Sequence, residues 1–202
     1  MEKLNELAKR LEKLGYTARV FSTAQEAKDY LLESIPQSDT VGVGGSMTVR
    51  QLGLAEALRG RGQQVYWHWD SDDANAARKG AASADTYLCS ANAVTESGKI
   101  VNIDGYGNRV APTIYGPQRV FLVVGKNKIA PDLNGAIDRA RNIAAPLNAR
   151  RLNRHTPCAV GEPRCHDCRS PEKICGVMTV FFMPPTSIKE FHVLLVNEDL
   201  GY

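Results

Sequence analysis

The feature that most constrains the fold is a short run without a polar residue, Val120-Phe-Leu-Val-Val124. A strand that is apolar at every position has no face to turn toward water, so it belongs in a sheet covered on both sides, as parallel sheets are. The run is far shorter than the roughly 20 residues that cross a bilayer. We therefore expect a central strand of a buried parallel sheet, and no membrane span.

Strand-like and helical segments alternate along the rest of the chain. Leucines spaced for one helical face, from Leu4 to Leu14, predict an N-terminal amphipathic helix. Further helices are predicted from the glycine turn to about Leu58, from a cap at Ser71 or Asp72, and from about Asp132, with Pro146 ending or kinking the last. The alternation predicts an α/β fold, a mostly parallel sheet with helices on both faces. We assign 1–150 to the α/β core, and 151–202 to a cysteine loop and C-terminal strands packed on the same domain.

Composition narrows the class of protein. A chain of 202 residues, 43% apolar and 23% charged, is ordinary for one globular domain. Its net charge of +3 gives no reason to expect nucleic acid as a partner. The first residues mix Glu and Lys with leucine and lack the apolar block of a signal peptide. We therefore expect a cytoplasmic protein, in a compartment where clustered cysteines bind metals more often than they form disulfides.

A glycine-rich turn separates a predicted strand from a predicted helix. It contains Gly44, Gly45, Ser46 and Thr48. Glycine allows a sharp turn, and the free N–H groups at the start of a helix favour an anion such as phosphate or carboxylate. The turn lacks the lysine of a Walker motif and is not a full dinucleotide fingerprint. It is either a small-anion site or simply a tight turn with a serine cap.

A second polar segment follows, between residues 92 and 109. Glu96 is a candidate nucleophile or base if it is buried near the glycine turn, and otherwise a solvent-exposed hairpin residue. Arg109 can hold a carboxylate or phosphate through two parallel hydrogen bonds. Asn102 and Asp104 are further candidates for anion or substrate binding; the alternative is that they serve only the turns around them.

Four of the five cysteines lie in one short segment: Cys158, Cys165, Cys168 and Cys175. Four thiolates so close in sequence can surround one ion or cluster, and nearby arginines would offset their charge. Zinc usually takes two C-x₂-C pairs, of which only one is present, whereas iron–sulfur clusters tolerate varied spacing. The segment therefore predicts a 4Fe–4S cluster, with zinc as the alternative. Free thiols in a loop are the remaining interpretation.

Several ordered segments resemble the LUD (lactate utilisation, LutC/YkgG-like) family, in its branch with a C-terminal four-cysteine loop. The similarity covers nearly the whole chain. Besides the cysteine loop, it is carried by GVGGSMTVRQLGL from Gly42, NAVTESGKIVNIDGYGNRVA from Asn92, VVGKNKI from Val123, RNIAAPLNARRL from Arg141, and the final VLLVNEDLGY.

The resemblance implies a fold like that of the NagB/RpiA/CoA-transferase superfamily and a link to lactate oxidation beside other iron–sulfur subunits. In those distant relatives a glycine turn binds phosphate or substrate, and CoA transferases use a glutamate nucleophile, which Glu96 matches only loosely. The leading hypothesis is thus a protein of organic-acid utilisation with an iron–sulfur cluster for electron transfer or regulation, binding a small anionic metabolite. The alternatives are a sugar-phosphate or acyl-CoA enzyme with a structural zinc, and an assembly subunit without chemistry of its own.

Overall fold

The computed structural model describes residues 1–202. No helix in it has both the length and the apolar character needed to cross a membrane. The elements in chain order are α1 (Glu2–Lys13), β1 (Thr17–Phe21), α2 (Ala24–Ser34), β2 (Val41–Val43), α3 (Met47–Gln51), α4 (Leu54–Gly60), β3 (Val65–Trp67), α5 (Ala74–Ala82), β4 (Thr86–Cys89), β5 (Ala93–Thr95), β6 (Ile100–Asp104), β7 (Arg119–Gly125), β8 (Ile129–Ala130), α6 (Leu133–Arg139), α7 (Ala145–Arg151), α8 (Pro157–Val160), β9 (Val177–Phe181) and β10 (Glu190–Val196).

Six strands form one large sheet in the order β1-β10-β7-β4-β2-β3. Every neighbouring pair in this sheet is parallel. The apolar run 120–124 lies in β7, between β10 and β4, as its composition predicts. The C-terminal strand β10 lies between β1 and β7, so the last residues of the chain complete the middle of the sheet.

The large sheet is buried on both faces. In β7, Val120, Leu122 and Val124 pack into one apolar cluster with α1 and α5 residues, whereas Phe121 and Val123 pack into a second cluster with α2, α3 and α4. This alternation follows from the period of two along a strand. The prediction of a mostly parallel sheet with helices on both faces is confirmed.

A smaller sheet, in the order β8-β5-β6-β9, lies beside the large one. One of its faces shares the α1 cluster through Val94 and Ile100. The other face packs Ala93, Val101 and Ile103 against the small residues of α6 and α7. Alanines on those helices let them approach the strands closely. The segment with the four cysteines connects α7 to β9 and therefore lies at this end of the molecule.

Two helix predictions differ from the structure in detail. The predicted single helix from the glycine turn to Leu58 is broken at Gly53, which has a left-handed backbone, and the two pieces are α3 and α4. The cap of α5 is Asp73, whose carboxylate accepts the N–H groups of Asn75 and Ala76, rather than Ser71 or Asp72. Adjacent polar residues compete for the cap, and only the path of the incoming chain decides among them.

Pro146 neither ends nor sharply interrupts its helix. A π-helical stretch, Ala140–Ala144, precedes it, and Pro146 stands in the first turn of α7. Proline lacks an N–H and its ring collides with the carbonyl four residues earlier in a regular helix. The wider π turn accommodates both effects, so the polypeptide continues from α6 into α7.

Close packing of β2 against α5 gives a test of the core. A side chain added at Gly42 would overlap the Ala81 carbonyl oxygen, whereas nothing lies within 4 Å of a side chain added at Gly60. We expect Gly42→Ala to lower the free energy of unfolding by about 1–3 kcal/mol because a well-packed region must shift. Gly60→Ala should leave it unchanged or raise it by up to about 1 kcal/mol. Urea unfolding curves compare the two; equal effects would contradict the packing described.

Candidate functional site

A cleft of about 390 Å³ opens at the carboxyl ends of three neighbouring strands of the large sheet. Gly45, Ser46 and Thr48 reach it after β2, Ser90 after β4, and Lys128 after β7. Parallel strands end at one edge of a sheet, and ligands of open α/β sheets bind at that edge. Topology thus brings together residues that are up to 80 positions apart in sequence.

Positive charge dominates the cleft. Six basic side chains line it: Arg78, Arg109, Lys128, Arg151, Arg154 and Lys173. The two acidic side chains are already engaged, since Asp104 accepts four backbone N–H groups and Glu172 accepts the N–H of His155. A concave surface with unbalanced charge of one sign concentrates ligands of the opposite sign. The cleft is therefore suited to an anion.

Lys128 is buried at the inner end of the cleft, with 3% of its surface exposed. Its Nζ lies 2.7 Å from Thr48 Oγ1 and 2.8 Å from Ser90 Oγ, and it forms no salt bridge. Burial, followed by the positive charges of Arg139 and Arg109, lowers the pKa of Lys128 to about 7. A lysine with this pKa is present in both protonation states near neutral pH.

Asp104 organises the loop that carries Arg109. Its Oδ1 accepts the N–H groups of Gly105 and Tyr106, and its Oδ2 accepts those of Arg109 and Val110. The Arg109 guanidinium is held by Nη2 alone, which donates to Asn92 Oδ1 at 2.6 Å and to the Ile103 carbonyl. Its Nε and Nη1 donors remain available to a ligand.

Aromatic side chains support other basic residues of the cleft. The Arg151 guanidinium lies 4.4 Å from the centre of the Trp69 ring, and that of Arg78 lies 4.6 Å from the Tyr106 ring. Stacking of this kind orients a guanidinium without neutralising its charge. Burial, together with Arg78 and Arg151, lowers the pKa of His68, which also lines the cleft. His68 therefore adds little positive charge at neutral pH.

Five predicted anion-binding residues line this one cleft, namely Gly45, Ser46, Thr48, Asp104 and Arg109. Gly44 is not among the residues that line the cleft. A side chain added there would collide with the Tyr87 hydroxyl. Asn102 is fully buried, and its Oδ1 accepts the N–H of Asn92. Ser46 also caps α3 by accepting the N–H of Val49.

Glu96 is not among the residues that line the cleft. It is exposed in the turn between β5 and β6, where its backbone N–H donates to Ala130 and its carbonyl accepts from Arg10. This is the position of a hairpin glutamate. Glu96 therefore does not line the cleft. Its catalytic role stays a prediction.

The four clustered cysteines line a second cavity, of about 310 Å³. All four are half-buried free thiols. Burial raises the pKa of the Cys175 thiol, and the other three cysteines add to the effect, because they are close enough to interact with it. Folding therefore places Cys158, Cys165, Cys168 and Cys175 around one space.

A guanidinium group and a backbone N–H group contact one of the four thiols. Arg141 Nη2 lies 3.2 Å from Cys165 Sγ, and that bond raises the pKa of Arg141. The backbone N–H of Asp167 donates to the same sulfur. No three Cys, His, Asp or Glu side chains lie close enough together to hold a single metal ion. The thiols surround a space instead of converging on one point.

The cleft and the cysteine cavity are neighbours. Ile103, Ala145 and Lys173 line both of them. In addition, a side chain at Gly105, in the cleft loop, would collide with the backbone of Ile174, beside Cys175. One thin wall therefore separates the basic cleft from the four thiols.

The LUD domain family model matches residues 4–196. The chain belongs to the LUD domain family. This confirms the predicted resemblance, while membership of a branch with a four-cysteine loop stays a prediction. A crystal structure of a DUF162 family protein from Deinococcus radiodurans is similar, with a TM-score of 0.57, 14% identity and 96% of each chain covered. At that identity the likeness concerns the fold. No curated protein matches the chain.

The sequence analysis did not identify Lys128, which is the most deeply buried basic side chain of this LUD domain. It also did not identify Ser90, which accepts a hydrogen bond from Lys128, or Asn92, which accepts one from Arg109. The available signal was position, since Lys128 follows the most apolar strand by only a few residues. Ser90 and Asn92 similarly follow β4. Arg151 gave no signal, because it reaches the cleft from the end of α7, which the sequence does not place near the sheet.

The Lys128→Met variant tests the burial of the amine. The unfolded chain binds more protons than the folded LUD domain between pH 7 and 10.5, because folding lowers the pKa of Lys128 across that range. The free energy of unfolding of the wild type, minus that of Lys128→Met, should thus rise with pH by at most about 1.4 kcal/mol per pH unit. Urea unfolding across this window measures it, with the exposed Lys126→Met as control. Parallel profiles of Lys128→Met and wild type would contradict the assignment.

Proposed function

We propose that this LUD protein serves the utilisation of lactate or a related organic acid. In this proposal the basic cleft binds the small anionic metabolite, and the four cysteines hold a 4Fe–4S cluster for electron transfer or regulation. The observation that carries the proposal is the shared wall of Ile103, Ala145 and Lys173 between the two cavities. A redox centre beside a substrate cleft can exchange electrons with the bound molecule or respond to it.

The charge of the cleft supports an organic acid as ligand. A carboxylate would meet the free donors of Arg109 and the basic side chains around it, and bonds between charged groups are about twice as strong as neutral ones. The Ser46 hydroxyl, which accepts from Val49 and keeps its own proton to donate, lines the same cleft. The basic side chains of the cleft outnumber its two acidic ones, Asp104 and Glu172, so a net attraction for an anion remains.

The cysteine cavity supports a cluster more than a single ion. Zinc would require all four sulfur atoms at about 2.3 Å from one point. In a cluster each thiolate binds a different iron, so the four sulfurs stand around a larger object. The donor set, the cavity and the N–H groups on Cys165 fit that arrangement. When bound, the cluster would supply one-electron chemistry.

The position of the thiols supports an exchange of electrons with a partner. All four cysteines are half-buried rather than enclosed, and the loop that bears them lies at the surface. A centre in that position can be approached from outside while its other side faces the cleft. Other iron–sulfur subunits of a lactate-oxidation system are the class of partner that this placement suits.

Metal analysis tests the cluster. We expect protein purified without oxygen, or reconstituted with iron and sulfide, to bind iron and sulfide in equal amounts and to show a broad visible absorption that dithionite bleaches. Cys165→Ser should lose the iron and the colour. Cys89→Ala is the matched control, because Cys89 is buried in the large core away from the cavity. Zinc in place of iron, or colourless protein after reconstitution, would contradict the cluster.

Calorimetry tests the anion cleft. We expect lactate or pyruvate to bind wild type, and Arg109→Gln to weaken that binding by about 10- to 100-fold, since a hydrogen bond to a charged group contributes about 1.5–3 kcal/mol. Arg59→Gln is the control, because Arg59 pairs with Asp70 outside the cleft. Thermal melting checks that each variant is folded. Equal affinities of Arg109→Gln and wild type would contradict this site.

A further inference from the structure

Lys128 carries chemistry that anion binding alone does not require. It is the only buried lysine of the chain. Anion binding needs a charged group, which the arginines of the cleft already provide. A buried amine with a lowered pKa is a costly substitute for a surface lysine, since burial opposes its charged form. The arrangement of its neighbours indicates why an amine stands there.

The two hydroxyl groups beside Lys128 are fixed as acceptors. Ser90 Oγ lies 2.6 Å from the Val123 carbonyl oxygen, and Thr48 Oγ1 lies 3.3 Å from that of Leu200. A hydroxyl has one proton, and a carbonyl can only accept it. Both hydroxyls therefore turn lone pairs toward Nζ, and the amine must donate to each of them.

This arrangement matches a neutral amine. A neutral amine has two hydrogens and one lone pair, so donation to Thr48 and Ser90 leaves the lone pair unused. An ammonium would have a third N–H, and no carboxylate lies within salt-bridge distance to receive it. The charged and titratable groups that face Nζ are Arg109, Arg139 and the Cys89 thiol. The two guanidinium groups add to the effect of burial, which favours the neutral form.

The end of the chain restricts access to the amine. A side chain at Gly201 would lie 2.5 Å from Thr48 Oγ1 and 3.1 Å from Lys128 Nζ, so the backbone there passes directly over the amine. Leu200 and Gly201 are held by Asn127 and Gln51, which accept their N–H groups. Lys128 also lines the cleft, so a ligand bound there can approach Nζ from that side.

We propose that Lys128 is a nucleophile that adds to the ketone carbon of a small 2-oxo acid bound in the cleft. The nitrogen lone pair forms the C–N bond while the carbonyl π pair moves to oxygen, which takes one of the two amine protons and becomes a hydroxyl. The C–O bond then breaks, the hydroxyl leaves as water with the second amine proton, and the nitrogen lone pair forms the C=N bond of an imine. No oxidant or reductant takes part. This inference rests on the proposed function, because the carboxylate of the acid is held by the same basic cleft.

Borohydride trapping tests the nucleophile. Full-length protein, incubated with pyruvate and cyanoborohydride at neutral pH, should gain one adduct, with the mass of pyruvic acid less one oxygen atom. Peptide mapping should place it on Lys128 and not on the exposed Lys126, with a preference of at least about tenfold. Lys128→Met, the variant used above for the unfolding curves, lacks the amine and should show no adduct. Adducts spread over surface lysines, or none, would overturn the proposal.

A second reagent separates this inference from the anion cleft. Pentane-2,4-dione condenses with neutral amines and has no carboxylate, so its reaction with Lys128 does not need the anion site. Labelling of Lys128 by both reagents supports the proposal. Calorimetric binding of pyruvate with no label on Lys128 from either reagent overturns the nucleophile and leaves the anion cleft intact. Labelling by the dione, without binding or trapping of pyruvate, overturns both the 2-oxo acid assignment and the proposed anion site.

Discussion

Burial of the large sheet on both faces is the constraint on which the rest of the structure depends. Because β7 and β10 are apolar on each side, helices must cover both faces, and the connections between strands then make the sheet parallel. A parallel sheet has all its carboxyl ends at one edge. Thr48, Ser90 and Lys128 meet for this reason, although each follows a different strand.

The charges at that edge are held by hydrogen bonds instead of ion pairs. The Arg109 guanidinium donates to an amide and a carbonyl, and the Asp104 carboxylate accepts backbone N–H groups. Such partners orient a charge without neutralising it, and because basic side chains outnumber acidic ones the cleft still attracts an anion. The cysteine loop closes one side of the same cleft, so in the proposed function a bound anion and the thiols influence one another through a single wall.

Local sequence patterns predicted which helices and strands form better than they predicted where each one ends or what it contacts. The apolar pattern was sufficient for β7 and for α1, since burial follows directly from it. The break at Gly53, the cap at Asp73 and the π turn before Pro146 depend on how each segment meets the next. Glu96 shows the same limit, because a carboxylate in a polar segment looks alike in sequence whether it is buried or exposed.

The sequence by itself determined the α/β class, the family, the glycine turn and the grouping of four thiols, because each of these is written in neighbouring residues. Tertiary structure alone decided that Lys128 is buried without an acid, that Arg151 reaches the cleft, and that the thiols share a wall with it. These facts depend on contacts between residues distant in the chain. Burial and charge are properties of the space around a side chain, and that space exists only after the sheet has assembled.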